Sequence, residues 1–160
     1  MKPIPRAALE APELALERFL PYRLSVLTNR ISGQIARLYA RRFGLSIPEW
    51  RAMAVLGRFG PMAANEVAER TQMDKVRVSR AVAQLVRDGR VLRRTDRVDR
   101  RRVVLDLSAK GRAVYGEIVP LALGVEARLL APLSVEERAL VERVIARLEA
   151  CAGGDFVAPE

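Results

Sequence analysis

Residues 75–87 have the sequence KVRVSRAVAQLVR, and the two sides of this stretch differ in chemistry when it is placed on a helix. At roughly 100° per residue, one stripe consists of apolar side chains: Val78, Ala81, Val82 and Leu85. The opposite stripe consists of polar ones: Arg77, Arg80, Gln84 and Arg87. The pattern predicts a helix over about 75–88 that is capped by the Asp74 carboxylate and stops at Gly89.

A shorter helix is predicted just before this one. Residues 63–70 carry Val67 and Ala68 on a common side, and Thr71-Gln72-Met73 predicts a tight turn. Two helices joined by such a turn, the second with a basic outer face, form the helix-turn-helix layout. Arginine can donate two hydrogen bonds to guanine and glutamine can pair with adenine, so this face suits duplex DNA. The other interpretation of the same residues is a solvated helix in a basic protein.

A hairpin is predicted directly after the basic helix. Residues 91–95 and 102–107 indicate two strands, and Val103, Leu105 and Leu107 alternate with Arg102, Val104 and Asp106. The residues between the strands, 96–101, form a tip that contains three arginines. A basic hairpin in this position is typical of a wing, which can place an arginine in the adjacent minor groove.

The net charge of +9 is concentrated in this part of the chain. Residues 75–102 contain eleven basic and three acidic residues, a net charge of +8, whereas the other 132 residues carry a net +1. An excess of this size indicates a polyanionic partner. Its placement on one helix and one hairpin favours nucleic acid over an acidic membrane surface.

The composition excludes several classes of protein. The 160 residues include no histidine and a single cysteine, Cys151. Most serine and cysteine catalytic triads and most zinc sites need histidine, and one cysteine cannot form an internal disulfide. The sequence also contains no Gly-rich phosphate loop. We therefore expect no enzyme activity, no metal site and no cofactor, and we expect a cytoplasmic protein because the N-terminus lacks the apolar run of a signal peptide.

Further helices are predicted before the helix-turn-helix. Pro12 and Pro21 each mark a possible first helical turn, and a long helix is expected over residues 21–42. Its apolar residues recur at spacings of three and four: Leu24, Leu27, Ile31, Ile35 and Leu38. The sequence Ser46-Ile47-Pro48-Glu49 is a capping box that precedes a helix over about 48–59. That helix carries Met53, Leu56 and Phe59 on one side.

Two helices are predicted after the hairpin. The first is capped by Ser108 and carries an apolar stripe: Val114, Ile118, Leu121, Val125 and Leu129. The second follows a capping box at Ser134, and its stripe is expected to face inward: Leu140, Val144, Ile145 and Leu148. The flanking helices hold about half of the chain and more apolar surface than a lone winged module needs. This excess favours a homodimer over packing within one chain.

From about residue 21 to 150 the chain resembles the MarR family of bacterial winged-helix regulators. The segments that carry the resemblance are residues 63–70, 73–80, 85–89, 99–101 and 105–111. The most specific is Asp99-Arg100-Arg101, followed six residues after its aspartate by the start of Leu105-Asp106-Leu107-Ser108-Ala109-Lys110-Gly111. The resemblance implies a mainly α-helical fold, with a winged helix-turn-helix and a two-stranded β-wing.

The resemblance also implies how the chain is divided. A single domain over residues 1–150 would contain the DNA-binding module at 46–107 and dimerisation helices at 12–43 and 108–150. Residues 151–160 would form a flexible tail. We expect a homodimer that binds a palindromic operator, acts as a repressor and associates with the nucleoid when it is bound to DNA. The alternatives are an architectural DNA-binding protein without sequence preference and an RNA-binding winged helix.

Nine residues are predicted to serve DNA binding. Lys75, Ser79 and Arg93 are expected to contact phosphates, which position the protein without specifying a sequence. Arg77, Arg80 and Gln84 are the candidates for base edges. The resemblance implies that Asp99 holds an arginine of the wing in place, and that either Arg101 or Arg97 enters the minor groove.

An effector pocket is implied by the resemblance alone. It would lie between the dimer helices and the winged module, and bind a small organic effector such as an aromatic acid or its coenzyme A thioester. Its candidate lining residues are Tyr22, Arg23, Arg30, Tyr39, Trp50 and Met53. The competing interpretation is that the aromatic and methionine residues belong to the core.

Overall fold

The computed structural model describes residues 13–95 and 102–153. These residues form six helices and two strands in the predicted order. The helices are α1 (Leu20–Phe43), α2 (Ile47–Phe59), α3 (Ala64–Thr71), α4 (Lys75–Arg87), α5 (Ala109–Leu130) and α6 (Val135–Ala152). The strands are β1 (Val91–Thr95) and β2 (Val103–Leu107). The prediction of a mainly helical winged fold is therefore confirmed, and most element ends lie within one or two residues of their predicted positions.

The helix ends follow the capping residues in the sequence. Ser46 and Ser134 both form capping boxes, in which the serine oxygen accepts from a backbone N–H and a glutamate three residues later bonds back. Asp74 accepts from the backbone N–H of Arg77 at 2.7 Å. Gly44 ends α1 with φ of 63°, a left-handed conformation that glycine adopts without strain.

The wing is a two-stranded antiparallel sheet in which Val91 pairs with Leu107 and Thr95 pairs with Val103. Met62, just before α3, adds a short bridge, because its backbone N–H donates to Leu105 at 3.1 Å and its carbonyl accepts at 2.8 Å. These two bonds join strand β2 to the residue that lies just before the helix-turn-helix.

The core lies among the second half of α1, α2, α3, α4, the sheet and the first half of α5. Its fully buried side chains include Met53, Leu56, Val67, Leu85 and Ile118. The predicted inner stripe of α4 is confirmed, since all four of its apolar residues are buried. This packing fixes the rotation of α4, so its polar stripe must face outward.

The prediction that the α6 stripe faces inward was wrong within this chain, and apolar residues of α1 and α2 are exposed as well. The stripe of α6 is exposed, and no residue of that helix is buried, because no other element of the described chain covers it. Leu24, Leu27 and Leu38 of α1 are exposed for the same reason. Phe59 is 54% exposed because it is the last residue of α2, where Arg58 and Arg70 stack against its ring.

Strand β2 also departs from simple alternation. It begins at Val103 rather than Arg102, and Val103 is 56% exposed while Asp106 is buried. The carboxylate of Asp106 accepts from the guanidinium of Arg112 on α5 at 2.7 Å, which satisfies its charge. Val103 lies at the end of the sheet that extends away from the core.

The two chain ends differ slightly from expectation. A short turn occupies residues 16–18, and the first helix of the described chain begins at Leu20. The predicted helix start at Pro12 lies outside the described residues, and residues 13–19 are not helical. Helix α6 continues through Cys151 and Ala152, which were expected to belong to the tail. Residues 1–12 and 154–160 lie outside the described part of the chain.

Among the described residues, no single helix is long and apolar enough to cross a membrane, and only α5 and α6 taken together, bent by 111°, pass that test of length and composition.

Candidate nucleic-acid interface

Helix α4 presents a row of cationic side chains to solvent. Lys75, Arg77, Arg80 and Arg87 are all exposed, as is Ser79. The Asp74 cap does not neutralise the row, because only Arg77 approaches it and the Nε atom lies 3.6 Å from the carboxylate. The predicted outer face is therefore present on the surface and carries its charge.

Gln84 differs from its neighbours on the same face. It is half-buried, and its side-chain nitrogen donates to Oδ1 of Asp88 at 2.9 Å. Its side-chain oxygen accepts from the guanidinium of Arg87. Both ends of the amide are thus occupied, and these two bonds must be exchanged before Gln84 can bond to a base.

A groove of about 560 Å³ lies between α4 and the start of α2. Arg77, Arg80 and Arg87 line one side, and Ser46 and Glu49 line the other. The α2 capping box was not predicted to lie beside this face of α4. The pairing arises from the tertiary packing of α2 against α4, for which the sequence carries no local signal.

A second groove, of about 310 Å³, lies between α3, α4 and the wing. Lys75, Ser79 and Arg93, predicted to contact phosphates, all line it. Exposed Val103 and Asn65 complete its rim, and neither was predicted to belong to the site. The structure thus joins the cations of α4 and β1 in one concave surface, although they are separated in sequence.

The base of the wing is tied to α3 by an ion pair between Arg102 and Glu66. The same carboxylate accepts from the backbone N–H of Ala63 at 2.8 Å, which completes the cap of α3. The Ala63 N–H and the Arg102 guanidinium hold the pKa of Glu66 below its ordinary value. One glutamate therefore joins the start of the helix-turn-helix to the first residue described after the wing tip.

The tip of the wing, residues 96–101, lies outside the described residues. The predicted roles of Arg97, Asp99 and Arg101 fall there and stay predictions. The strand residues Arg93 and Arg94, just before the tip, are exposed.

One cation of the basic segment is not on the surface. The side chain of Arg90 is only 12% exposed and pairs with Asp88 at 3.2 Å. Arg90 was predicted to contribute to the surface charge, and that prediction was wrong. Its burial follows from its position in the turn after α4, which packs under the end of α1 and the start of α5.

Comparison with known proteins identifies the family. The sequence model of the MarR family matches residues 43–102. A crystal structure of a probable transcriptional regulator from Pseudomonas aeruginosa is 30% identical, with a TM-score of 0.65, over 83% of this chain and 98% of that one. The chain belongs to the MarR family of transcriptional regulators.

Two further solved structures resemble this MarR-family protein. The MarR-family regulator SPO1453 from Silicibacter pomeroyi is 29% identical, with a TM-score of 0.75, over 88% of this chain and 99% of that one. The BpsR protein of Bordetella bronchiseptica shares the fold at 19% identity, with a TM-score of 0.74, over 87% of this chain and 98% of that one. Among curated proteins, no sequence matches this chain significantly.

The six predicted effector residues do not form one cavity in this MarR-family chain. Tyr39 and Met53 are buried in the core, and Trp50 packs against it with ring centroids 5.7 Å from Tyr39. Burial raises the pKa of Tyr39 to about 12. These three residues behave as core, as the competing interpretation held.

The other three candidates lie on the first part of α1. Tyr22, Arg23 and Arg30 line an open groove of about 390 Å³ together with exposed leucines of the same helix. At about 1.5 Å per residue, Tyr22 is roughly 25 Å along the helix from Tyr39. Within one chain Tyr22 and Tyr39 are too far apart to contact one small molecule. The structure also brings no three Cys, Asp or Glu side chains together as metal ligands within residues 13–95 and 102–153.

Proposed function

We propose that this MarR-family protein is a homodimeric repressor that binds an inverted-repeat operator in duplex DNA. The observation that carries the proposal is the row of exposed cations on the outer face of α4, beside a groove that brings Lys75 and Arg93 together at the wing. An α-helix fits the major groove of duplex DNA. With α4 in that groove, Lys75, Ser79 and Arg93 can bond to the phosphates at its edge.

The homodimer is supported by the apolar surface that one chain leaves exposed. Leu140, Val144, Ile145 and Leu148 form a stripe on α6, and leucines of α1 are exposed as well. Contiguous apolar surface of this kind marks interaction sites in proteins of this size. A twofold partner that covers these helices places the two α4 helices about 34–36 Å apart, which is one turn of DNA.

The regulation is proposed to involve a small organic effector. BpsR, which shares the fold, is described as regulated in its DNA binding by 6-hydroxynicotinic acid, an aromatic acid. An effector releases the operator only if it binds more tightly to the geometry that does not fit DNA. An aromatic acid or its coenzyme A thioester is the class to test first, with calorimetry of the dimer as the measurement.

Selection of bound duplexes from a random library tests the proposal as a whole. We expect an enriched inverted repeat whose half-sites are one helical turn apart. Equal recovery of all sequences would instead support the second candidate, an architectural DNA-binding protein that uses the same basic surface. Preferential competition by double-stranded RNA would indicate an RNA-binding protein.

A further inference from the structure

The turn that follows α4, residues 88–90, contacts both of the long helices that flank the winged module. The guanidinium of Arg90 donates through one terminal nitrogen to Asp88 and through the other to the backbone carbonyl of Phe43. Phe43 is the last residue of α1, where helix carbonyls have no partner within the helix and the helix dipole favours a cation. Arg90 therefore joins the end of α4 to the end of α1.

The backbone of the same turn is bonded to the start of α5. The carbonyl of Arg90 accepts from the backbone N–H of Ser108 at 3.0 Å, and the hydroxyl of Ser108 donates to the carbonyl of Gly89 at 2.6 Å. The ammonium of Lys110 donates to the carbonyl of Asp88 at 2.8 Å. Gly111 packs so closely that an added Cβ would lie 2.1 Å from the Arg90 carbonyl oxygen.

The burial of Arg90 is costly for a residue with a purely structural role. Its Nε atom is buried and has no hydrogen-bond partner within the described residues. An unpaired buried donor destabilises a protein, and an apolar side chain of similar length would avoid this cost. Each such group in a folded protein calls for an explanation.

We propose that Arg90 is a positioning residue that fixes the angle of α4 relative to α1 and α5. The inference rests on the proposed function, in which those long helices belong to the dimer. Since each half of the dimer holds its own recognition helix, Arg90 then sets the distance between the two recognition helices. It does so without contacting DNA.

The physical effect of losing Arg90 should appear only where both half-sites are occupied. Two linked binding events gain roughly 10²–10⁴ in affinity as long as the geometry allows both at once. If α4 is freed from the end of α1, each recognition helix still fits its own half-site, but the pair no longer holds one separation. Affinity for a single half-site should therefore be preserved while the gain from the second is reduced.

The test compares the full-length protein with Arg90→Met and Arg90→Lys on three duplexes. The first carries the inverted repeat selected from a random library, the second has one half-site scrambled, and the third has a spacer longer by one base pair. Methionine removes both guanidinium bonds, and lysine keeps the charge but lacks the planar fork that reaches two acceptors. For both variants we expect the ratio of two-site to one-site affinity to fall about tenfold or more. The discrimination between the two spacers should weaken as well.

Arg58→Met is the matched control, because it removes the same charge from an exposed arginine outside this connection. It should leave the ratio of two-site to one-site affinity unchanged. Thermal melting identifies the variants that are folded at the assay temperature. One folded Arg90 variant is enough to measure the ratio of two-site to one-site affinity. An equal loss on one-site and two-site duplexes, or no loss on either, would overturn the role of Arg90. A wild-type protein without any preference for two half-sites would overturn the proposed function together with this inference.

Discussion

At the level of single residues, the arginines between positions 75 and 102 differ in how much of their charge is available to a partner. Arg77, Arg80 and Arg87 are exposed on α4, whereas the side chain of Arg90 is largely covered and Arg102 is paired with Glu66. A count of basic residues cannot separate these cases, because the pairing and burial are set by contacts with α1 and α3.

Arg80→Ala and Lys75→Ala should weaken DNA binding in different ways. Loss of Arg80 should cost about 1–3 kcal/mol on the selected operator and relax base choice at one position. Loss of Lys75 should weaken binding to all sequences and lower the dependence of log affinity on log salt by about one unit. Titrations of both variants at several salt concentrations, on the operator and on random DNA, measure this. Equal losses on both DNAs for Arg80→Ala would contradict a base contact.

Gly111→Ala should destabilise the protein. The new Cβ would lie 2.1 Å from the carbonyl oxygen of Arg90, so the backbone on one side has to move. Such overpacking costs about 1–3 kcal/mol, which urea unfolding at a fixed protein concentration can measure.

Gly116→Ala is the matched control on the same helix. An added Cβ at Gly116 has no atom within 4 Å in the described chain, so alanine should raise the free energy of unfolding by about 0.5–1 kcal/mol. Opposite signs for the two variants are expected. A stable Gly111→Ala protein would show that the turn after α4 has room to shift.

At the level of elements, the wing and the helix-turn-helix are held together by a few defined contacts. Met62 bonds to Leu105 of β2 on one side, and Glu66 pairs with Arg102 at the start of that strand on the other. These contacts explain why β1 and β2 can extend from a small core. They also introduce a pH-dependent link at the base of the wing.

Glu66→Gln should reduce the loss of stability on acidification. The pKa of Glu66 is lower in the folded protein than in an unfolded chain, so its contacts stabilise the fold fully above the unfolded value. This contribution is lost as the pH falls from about 4, the ordinary pKa of a glutamate, through the lower pKa that Glu66 has in the folded protein. Unfolding free energies measured from pH 7 to pH 3 should therefore fall less steeply for the variant than for the wild type.

Glu69→Gln serves as the control for this measurement. Glu69 is an exposed residue of the same helix and forms no ion pair within the described residues. Its substitution should preserve the wild-type slope of stability against pH. If both variants gave the same slope, the pairing of Glu66 with Arg102 would not contribute to acid sensitivity.

At the level of the whole molecule, one chain leaves its terminal helices incompletely covered. No residue of α6 is buried, although four of its large apolar residues recur at helical spacing. The helix-turn-helix and the wing, by contrast, bury most of their apolar residues within the chain, although Val76 and Val103 are exposed. The molecule thus combines a winged module with a buried core and a terminal helix whose apolar stripe is exposed within one chain.

Leu148→Glu should convert the proposed dimer into monomers. Leu148 is the last residue of the α6 stripe, and a carboxylate there would have to be desolvated in the interface. Ala146→Glu adds the same charge on the opposite side of the helix and should leave the dimer intact. Sedimentation of both variants at several concentrations distinguishes them. Dissociation by Ala146→Glu alone would place the interface on another face.

Features of the candidate site that lie within one helix could be predicted from the sequence, and features that join separate elements could not be predicted in full. The rotation of α4, its cap at Asp74 and the apolar residues it buries were all evident from spacing. The groove that joins Lys75 and Ser79 to Arg93 could be predicted only in part, because it depends on how the wing packs. The separation of Tyr22 and Tyr39 along one predicted helix could be read from the sequence, but the packing of Tyr39 against Trp50 in the core could not, because they lie on different helices.

The sequence by itself determined where the helices begin and end and which face of α4 is apolar. Those properties depend on residues within three or four positions of one another, through the helical repeat and the capping bonds. Only the tertiary structure decided that the Arg90 side chain is largely covered, that Val103 is exposed and that the α6 stripe remains uncovered. Burial depends on which distant segments come together, and a local pattern of apolar and charged residues carries no record of that arrangement.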